Sequence, residues 1–278
     1  MRVFLLTAAA LIGFASNSLL TRGALATGQL DAATFMSVRL LTGALTLWLL
    51  ARLRSGPTTE HGSWTSAAAL AGYAIGFTLA YERISASVGA LVLFGAVQIT
   101  MIGTGLVRGE RPARVDWIGV TLAVAGLLVF TVPGANAPDP LGTAMMAFAG
   151  ACWGVYSLAG RGSRDPLGAT AGNFALASLA GIAFSAVSLG EMHVTPSGLW
   201  LAAASGSLAS GVGYTLWYSA LPSLAAWRAG VVQMVVPILT ALAAAALLGE
   251  SISGRLLVAT GCVTAGVLLT IVPAWHRR

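Results

Sequence analysis

The stretch YERISASVGALVLFGAVQITMIGTGLVRGERPARVDWIGVTLAVAGLLVFTVP, residues 81–133, returns in diverged form as YSALPSLAAWRAGVVQMVVPILTALAAAALLGESISGRLLVATGCVTAGVLLTIVP, residues 218–273. In the first copy Tyr81 leads an apolar run that closes on Gly109-Glu110. A second run carries Gly126 and ends at Val132-Pro133. In the second copy Tyr218, Gly249-Glu250, Gly266 and Val272-Pro273 follow in the same order, at an offset of 137 residues at the tyrosines and 140 from the Gly-Glu pair onward. Upstream, Arg22-Gly23 and Phe35 match Arg161-Gly162 and Phe174 at an offset of 139, half of the 278 residues. Shared order at nearly one offset reads as a tandem duplication, with repeats at 1–136 and 137–278.

Composition names the medium. Apolar residues make up 57% and charged residues 9% of the chain, with a mean hydropathy of +0.84. A soluble domain carries about a quarter charged residues, so this is the composition of an integral membrane protein. A span of about 20 residues crosses roughly 30 Å of hydrocarbon. Ten such segments are expected, near 3–21, 32–51, 64–81, 85–107, 115–132, 141–160, 168–189, 197–219, 226–248 and 256–273. Five fall in each half. An odd number per repeat makes the second half enter the membrane in the opposite sense, which predicts an all-α polytopic fold of two five-helix inverted repeats around a central cavity.

All fifteen basic residues are arginine. On alternating sides of ten spans, eleven fall on one side (Arg2, Arg52, Arg54, Arg108, Arg111, Arg114, Arg161, Arg164, Arg228, Arg277, Arg278) and Arg22, Arg83 and Arg255 on the other, with Arg39 inside a span. The arginine-rich side is expected to be cytoplasmic and to hold both termini, in a bacterial inner membrane. The N-terminal segment imitates a signal peptide, but its repeat counterpart near 144–160 predicts that it is retained. Cys152 and Cys262 lie in apolar segments without redox or metal spacing. His61, His193 and His276 fall in loops or at the C-terminus without ligand spacing, so neither an enzyme nor a metal or other cofactor is expected.

Polar groups inside spans are expensive and mark candidate sites. They are Asn17, Arg39, Gln98, Asn173 and Gln233, none of them a carboxylate. Arg39 reads either as a counter-charge for a carboxylate-bearing solute or as a structural arginine that hydrogen-bonds neighbouring helices. Gln98 and Gln233 suit a polar ligand or helix–helix glue. Tyr73, Phe77 and Tyr81 recur along one face of the third segment, and Tyr214, Trp217 and Tyr218 cluster at the end of the eighth. Phe94 adds a turn of the fourth, and Trp153 with Tyr156 a turn of the sixth. Such rings stack on planar solutes or accept a cation, although Tyr81 and Tyr218 also suit an interfacial belt with Trp48, Trp64, Trp200 and Trp275. Pro237 predicts a kink near Val232 to Gln233, with a freed carbonyl at mid-depth. Glu110 and Glu250 close their spans beside Arg111 and Arg255, which predicts local ion pairs, with a gating role as the alternative.

Two five-helix repeats, Arg39 in the second span and a Gly-Glu closing the fourth and ninth together resemble the drug/metabolite transporter superfamily, its ten-helix EamA-type branch, and within it the YddG-type exporters of aromatic amino acids. That resemblance implies a basket of helices lined mainly by the third, fourth, eighth and ninth spans. Pro237 departs from a symmetric pattern, since Val97 stands at the matching place in the fourth span. The combined expectation is alternating-access export of small organic solutes, amino acids including aromatic ones foremost, by facilitated diffusion or exchange. The alternatives are a drug or metabolite exporter with proton coupling, or a non-transporting scaffold. Expected partners are the small-molecule solute and the bilayer, with no nucleic acid, and the chain is expected as a monomer or weak homodimer.

Overall fold

The computed structural model describes residues 2–53, 60–110, 113–131 and 138–251, and nine positions between 254 and 269, all nine of them helical. Seven long helices come first: α1 Arg2–Ala26, α2 Ala32–Leu53, α3 Trp64–Arg83, α4 Ala86–Val107, α5 Arg114–Thr131, α6 Pro140–Gly160 and α7 Pro166–Val187. The eighth apolar segment is one rod in three parts: α8 Pro196–Ala204, a π-helical stretch Ser205–Val212, and α9 Gly213–Ala220. The ninth is α10 Ala226–Gln233 and α11 Val235–Leu248, broken at Met234. Among the described residues, six helices are long and apolar enough to cross a membrane. The tenth expected segment lies largely outside the described residues.

Local chemistry sets the boundaries. Asp139, Asp165 and Thr195 each accept a backbone N–H three residues on, from Gly142, Gly168 and Gly198, and each is followed by a proline whose missing N–H costs nothing in the first turn. Ser63 and Ser85 cap α3 and α4 in the same way. The break at Met234 sits one turn before Pro237, which cannot donate to the carbonyl of Gln233.

Packing pairs recur when the halves are exchanged. α3 packs on α6 and α7, as the α8–α9 rod packs on α1 and α2. α2 lies against α7, and α4 against α6, α10 and α11. Small residues permit the close approaches: a Cβ at Gly76 would meet the Met145 carbonyl at 2.8 Å, and one at Gly206 would run into Thr42 Oγ1 and the Arg39 carbonyl. Contacts between connecting segments also sort into two ends. At one end the backbone of Gln29 and Asp31 pairs with His193 and Thr195, and Arg83 meets Asp139 at 3.9 Å. At the other, the Glu60 carboxylate accepts from the Ser163 hydroxyl and from Arg164 N–H, and Arg161 meets Glu110. Each contact joins segments that the arginine count assigns to the same side.

Candidate functional site

The centre of the bundle is an aromatic box. Phe14 and Asn17 of α1, Tyr73 and Phe77 of α3, Leu93 and Phe94 of α4, Trp153 of α6 and Tyr214 of α9 line a cavity of about 10 Å³, room for one water. The rings lock edge to face: Phe14 stands at 81° to both Trp153 and Tyr214, with centroids 5.3 and 5.9 Å away. Trp153 lies 4.6 Å from Tyr214 and 5.3 Å from Tyr73.

Behind this wall lies Arg39, 1% exposed. Its Nη2 donates to the Tyr73 hydroxyl at 2.9 Å and to the Tyr214 hydroxyl at 3.4 Å, and Nε donates to Ser210 Oγ at 3.3 Å. The guanidinium carbon sits 5.1 Å from the Tyr73 ring centre and 5.0 Å from that of Phe77. Nη1 has no hydrogen-bond partner among the described residues. A second strand of the network runs from Ser205 Oγ to Asn17 Oδ1 at 2.5 Å, and from Asn17 Nδ2 to the Tyr73 hydroxyl at 3.0 Å. Tyr73 therefore accepts from both Arg39 and Asn17, which leaves its own O–H to donate. The widened π-helical turn sets Ser205 and Ser210 toward α1 and α2, and such π stretches recur at functional sites.

Of the residues singled out from sequence, Tyr73, Phe77, Phe94, Trp153, Tyr214 and Asn17 line the cavity, and Arg39 stands one side chain behind it. The others lie further out. Tyr81 packs edge to face on Phe77, with centroids 4.7 Å apart, and Tyr156 and Tyr218 meet at 5.9 Å. Tyr81 and Tyr218 are fully buried, which removes them from an interfacial belt, whereas Trp48, Trp64 and Trp200 are exposed and Trp275 lies outside the described residues. Trp217 backs Phe14 at 5.7 Å. Gln233 is engaged internally, accepting from Trp153 Nε1 at 2.8 Å and donating to the Ala229 carbonyl at 3.2 Å. Gln98 is fully buried, its Oε1 against Gly230, and neither amide atom has a hydrogen-bond partner among the described residues. Asn173 Oδ1 accepts from Ser63 N–H at 2.8 Å and anchors the start of α3. Pro237 is buried in α11 without touching the cavity.

The glutamates reach across to other helices. Glu110 takes Arg161 at 3.1 Å and the N–H of Ala226 at 3.1 Å, and Glu250 takes the N–H groups of Ala86 and Ser87 at 2.7 and 3.2 Å. The physical reason is the glycine before each. Gly109 and Gly249 end their helices at φ +82° and +68°, and that turn aims the next side chain at a neighbouring helix instead of at its own loop. Arg111, the expected partner of Glu110, lies outside the described residues.

Phe14, Leu93, Ser205 and Ser210 escaped sequence reasoning. The two serines carried a signal, being hydroxyls among the glycines of SGSLASGV in an otherwise apolar span. Phe14 and Leu93 carried none, since apolar residues populate every face of these helices.

Residues 140–272 match the EamA-like transporter family. An uncharacterized protein of Pseudomonas aeruginosa is 47% identical over 281 residues, covering 99% of this chain and 96% of that one. The threonine/homoserine exporter RhtA of Escherichia coli K12 is 30% identical over 181 residues, 61% of this chain and 59% of the exporter, and its Salmonella typhimurium LT2 counterpart is 31% identical over the same length. A protein crystal structure superposes with a TM-score of 0.77 at 20% identity, covering 96% of this chain and 99% of that one, which shows a shared fold. The comparisons point to a multi-pass membrane transporter, with the EamA-like family matched over the second half of the chain, and not to an enzyme.

Proposed function

We propose that this protein exports small carboxylate-bearing solutes, amino acids foremost, by alternating access through the aromatic box. One observation carries the reading: a buried guanidinium, linked by hydrogen bonds to two tyrosine hydroxyls on the cavity wall, has among the described residues no carboxylate partner and no hydrogen-bond acceptor for Nη1. A buried charge without a counter-ion costs several kcal/mol. A carboxylate accepting from Tyr73 O–H would offset that cost, and the solute's ammonium would lie over aromatic faces. Phe14, Phe77, Trp153 and Tyr214 supply a surface that suits an aromatic or branched side chain. The 30% identity to a threonine/homoserine exporter supports an amino-acid substrate independently of the cavity.

Ten membrane crossings in two inverted five-helix repeats, 1–136 and 137–278, underlie the mechanism, with both termini cytoplasmic in a bacterial inner membrane and the chain acting as a monomer or weak homodimer. The packing pairs that recur between halves support this topology. The cavity has room for only one water, so the conformation is closed around its site and a solute needs the helices to part. No carboxylate lines the cavity among the described residues, which supports facilitated diffusion or exchange over proton coupling.

The test is uptake of radiolabelled phenylalanine and threonine into proteoliposomes, with and without an imposed pH gradient. Saturable uptake without the gradient, inhibited by excess unlabelled amino acid and not by its carboxamide, is the expected result. Uptake strictly dependent on the gradient overturns the uncoupled mechanism, and absence of amino-acid uptake leaves the drug or metabolite alternative.

A further inference from the structure

We propose that Glu110 and Glu250 are paired gate latches, each a positioning residue that closes one end of the transporter by capping the first turn of a helix from the other half. The proposal rests on alternating access. α4 and the α10–α11 rod run antiparallel against each other. Glu250, just past the end of α11, holds the start of α4 through Ala86 N–H at 2.7 Å, Ser87 N–H at 3.2 Å and Ser87 Oγ at 2.5 Å. Glu110, just past the end of α4, holds the start of α10 through Ala226 N–H at 3.1 Å, with Arg161 of α6's C-terminus on the same oxygen. Capped residue and carboxylate are in register in both halves: Ala86 and Ala226 are 140 residues apart, as are Glu110 and Glu250.

The local chemistry is built for this. A left-handed glycine turns the chain back at each helix end, and the following N–H reaches into the last turn, Glu110 to the Gly105 carbonyl at 2.9 Å and Glu250 to the Ala244 carbonyl at 3.2 Å. A Cβ at Gly105 would crowd Glu110 Oε2 to 2.7 Å, so glycine there lets the carboxylate fold across the helix end. A carboxylate at a helix N-terminus gains both charge-assisted hydrogen bonds and the favourable end of the helix dipole. The latches lie at opposite ends of α4, whose 22 residues span about 33 Å. With both closed, the central cavity has a volume of only about 10 Å³. Opening one end requires losing one cap while the other holds, which is the alternation a carrier needs.

The test reads accessibility, so it stands apart from substrate identity. In a chain with Cys152 and Cys262 replaced, single cysteines are placed at Ala90 and Ala229, fully buried about one turn inside α4 and α10. Labelling by a membrane-impermeant maleimide is timed in open membrane fragments. Glu110→Ala is expected to speed labelling at position 229 about tenfold while slowing or not changing position 90, and Glu250→Ala the reverse. Gln at either position, which keeps one acceptor oxygen, is expected to fall between. Thermal melts confirm that each variant is folded. Equal acceleration at both positions, or none at either, overturns the latches. The crossed pattern in a protein that moves no amino acid keeps the latches and removes the solute assignment.

Discussion

Replacing Arg39 by methionine separates a functional arginine from a structural one. Methionine fills similar apolar volume and removes the charge. On the stability side, the guanidinium makes one short hydrogen bond, to Tyr73 at 2.9 Å, and two long ones, to Ser210 at 3.3 Å and Tyr214 at 3.4 Å. The short one is worth about 1.5 to 3 kcal/mol. Against it stands the desolvation of a buried, uncompensated cation, several kcal/mol. Tyr73 keeps Asn17 at 3.0 Å, and the Tyr214 hydroxyl loses only its long 3.4 Å bond. Arg39→Met is therefore expected to melt within about 3 °C of the parent, or above it.

Transport should respond differently. A solute carboxylate bonded to the Tyr73 hydroxyl lies at most about 5.6 Å from Nη2, the 2.9 Å of the observed bond plus about 2.7 Å for the new one. At an effective dielectric of about 20, that charge pair is worth roughly 3 kcal/mol, a factor of about a hundred. The paired assays are thermal unfolding of the purified protein and kcat/KM for phenylalanine in proteoliposomes. A variant that melts more than about 5 °C lower yet keeps kcat/KM within threefold of the parent would refute the reasoning and make Arg39 structural.

Three further outcomes follow from the packing. Gly206→Ala drives a methyl into Thr42 Oγ1 and the Arg39 carbonyl, so it should destabilise by about 1 to 3 kcal/mol, whereas Gly162→Ala, with open space around it, should leave the melt unchanged. Trp153→Phe keeps a ring in the box but removes the 2.8 Å bond to Gln233, which should cost about 1 to 3 kcal/mol in chemical denaturation because the amide oxygen is left buried. The Ser163 hydroxyl and then the Arg164 N–H hold the Glu60 carboxyl below its ordinary value of 4.5. A depressed folded value means that this contact stabilises above the unfolded value and is lost as pH falls through the folded one. Melting temperature should therefore drop between about pH 5 and 3, and Glu60→Gln should flatten that drop; an unchanged slope in the variant would remove Glu60 from the acid response.

The membrane environment, the helical class and the positions of most spans were legible in the sequence, because burial in hydrocarbon demands long apolar runs with every backbone group bonded locally. So were the box residues Tyr73, Phe77 and Tyr214, because aromatic spacing on one helix face is a local property. What required the tertiary structure was partnership. Arg39 reads from sequence as a counter-charge or as a structural arginine bonded to neighbouring helices, and only the packing of α2 between α3 and the π-helical turn put it behind Tyr73. Gln233 and Asn173 looked alike as polar groups in spans, yet one is tied to Trp153 and the other to the start of α3. Glu110 and Glu250 invite pairing with the nearest arginine in the chain, while their bonds cross to residues 116 and 164 positions away. A hydrogen bond depends on a few ångströms of separation in space, and separation along the chain says little about it once ten apolar segments can pack in many orders.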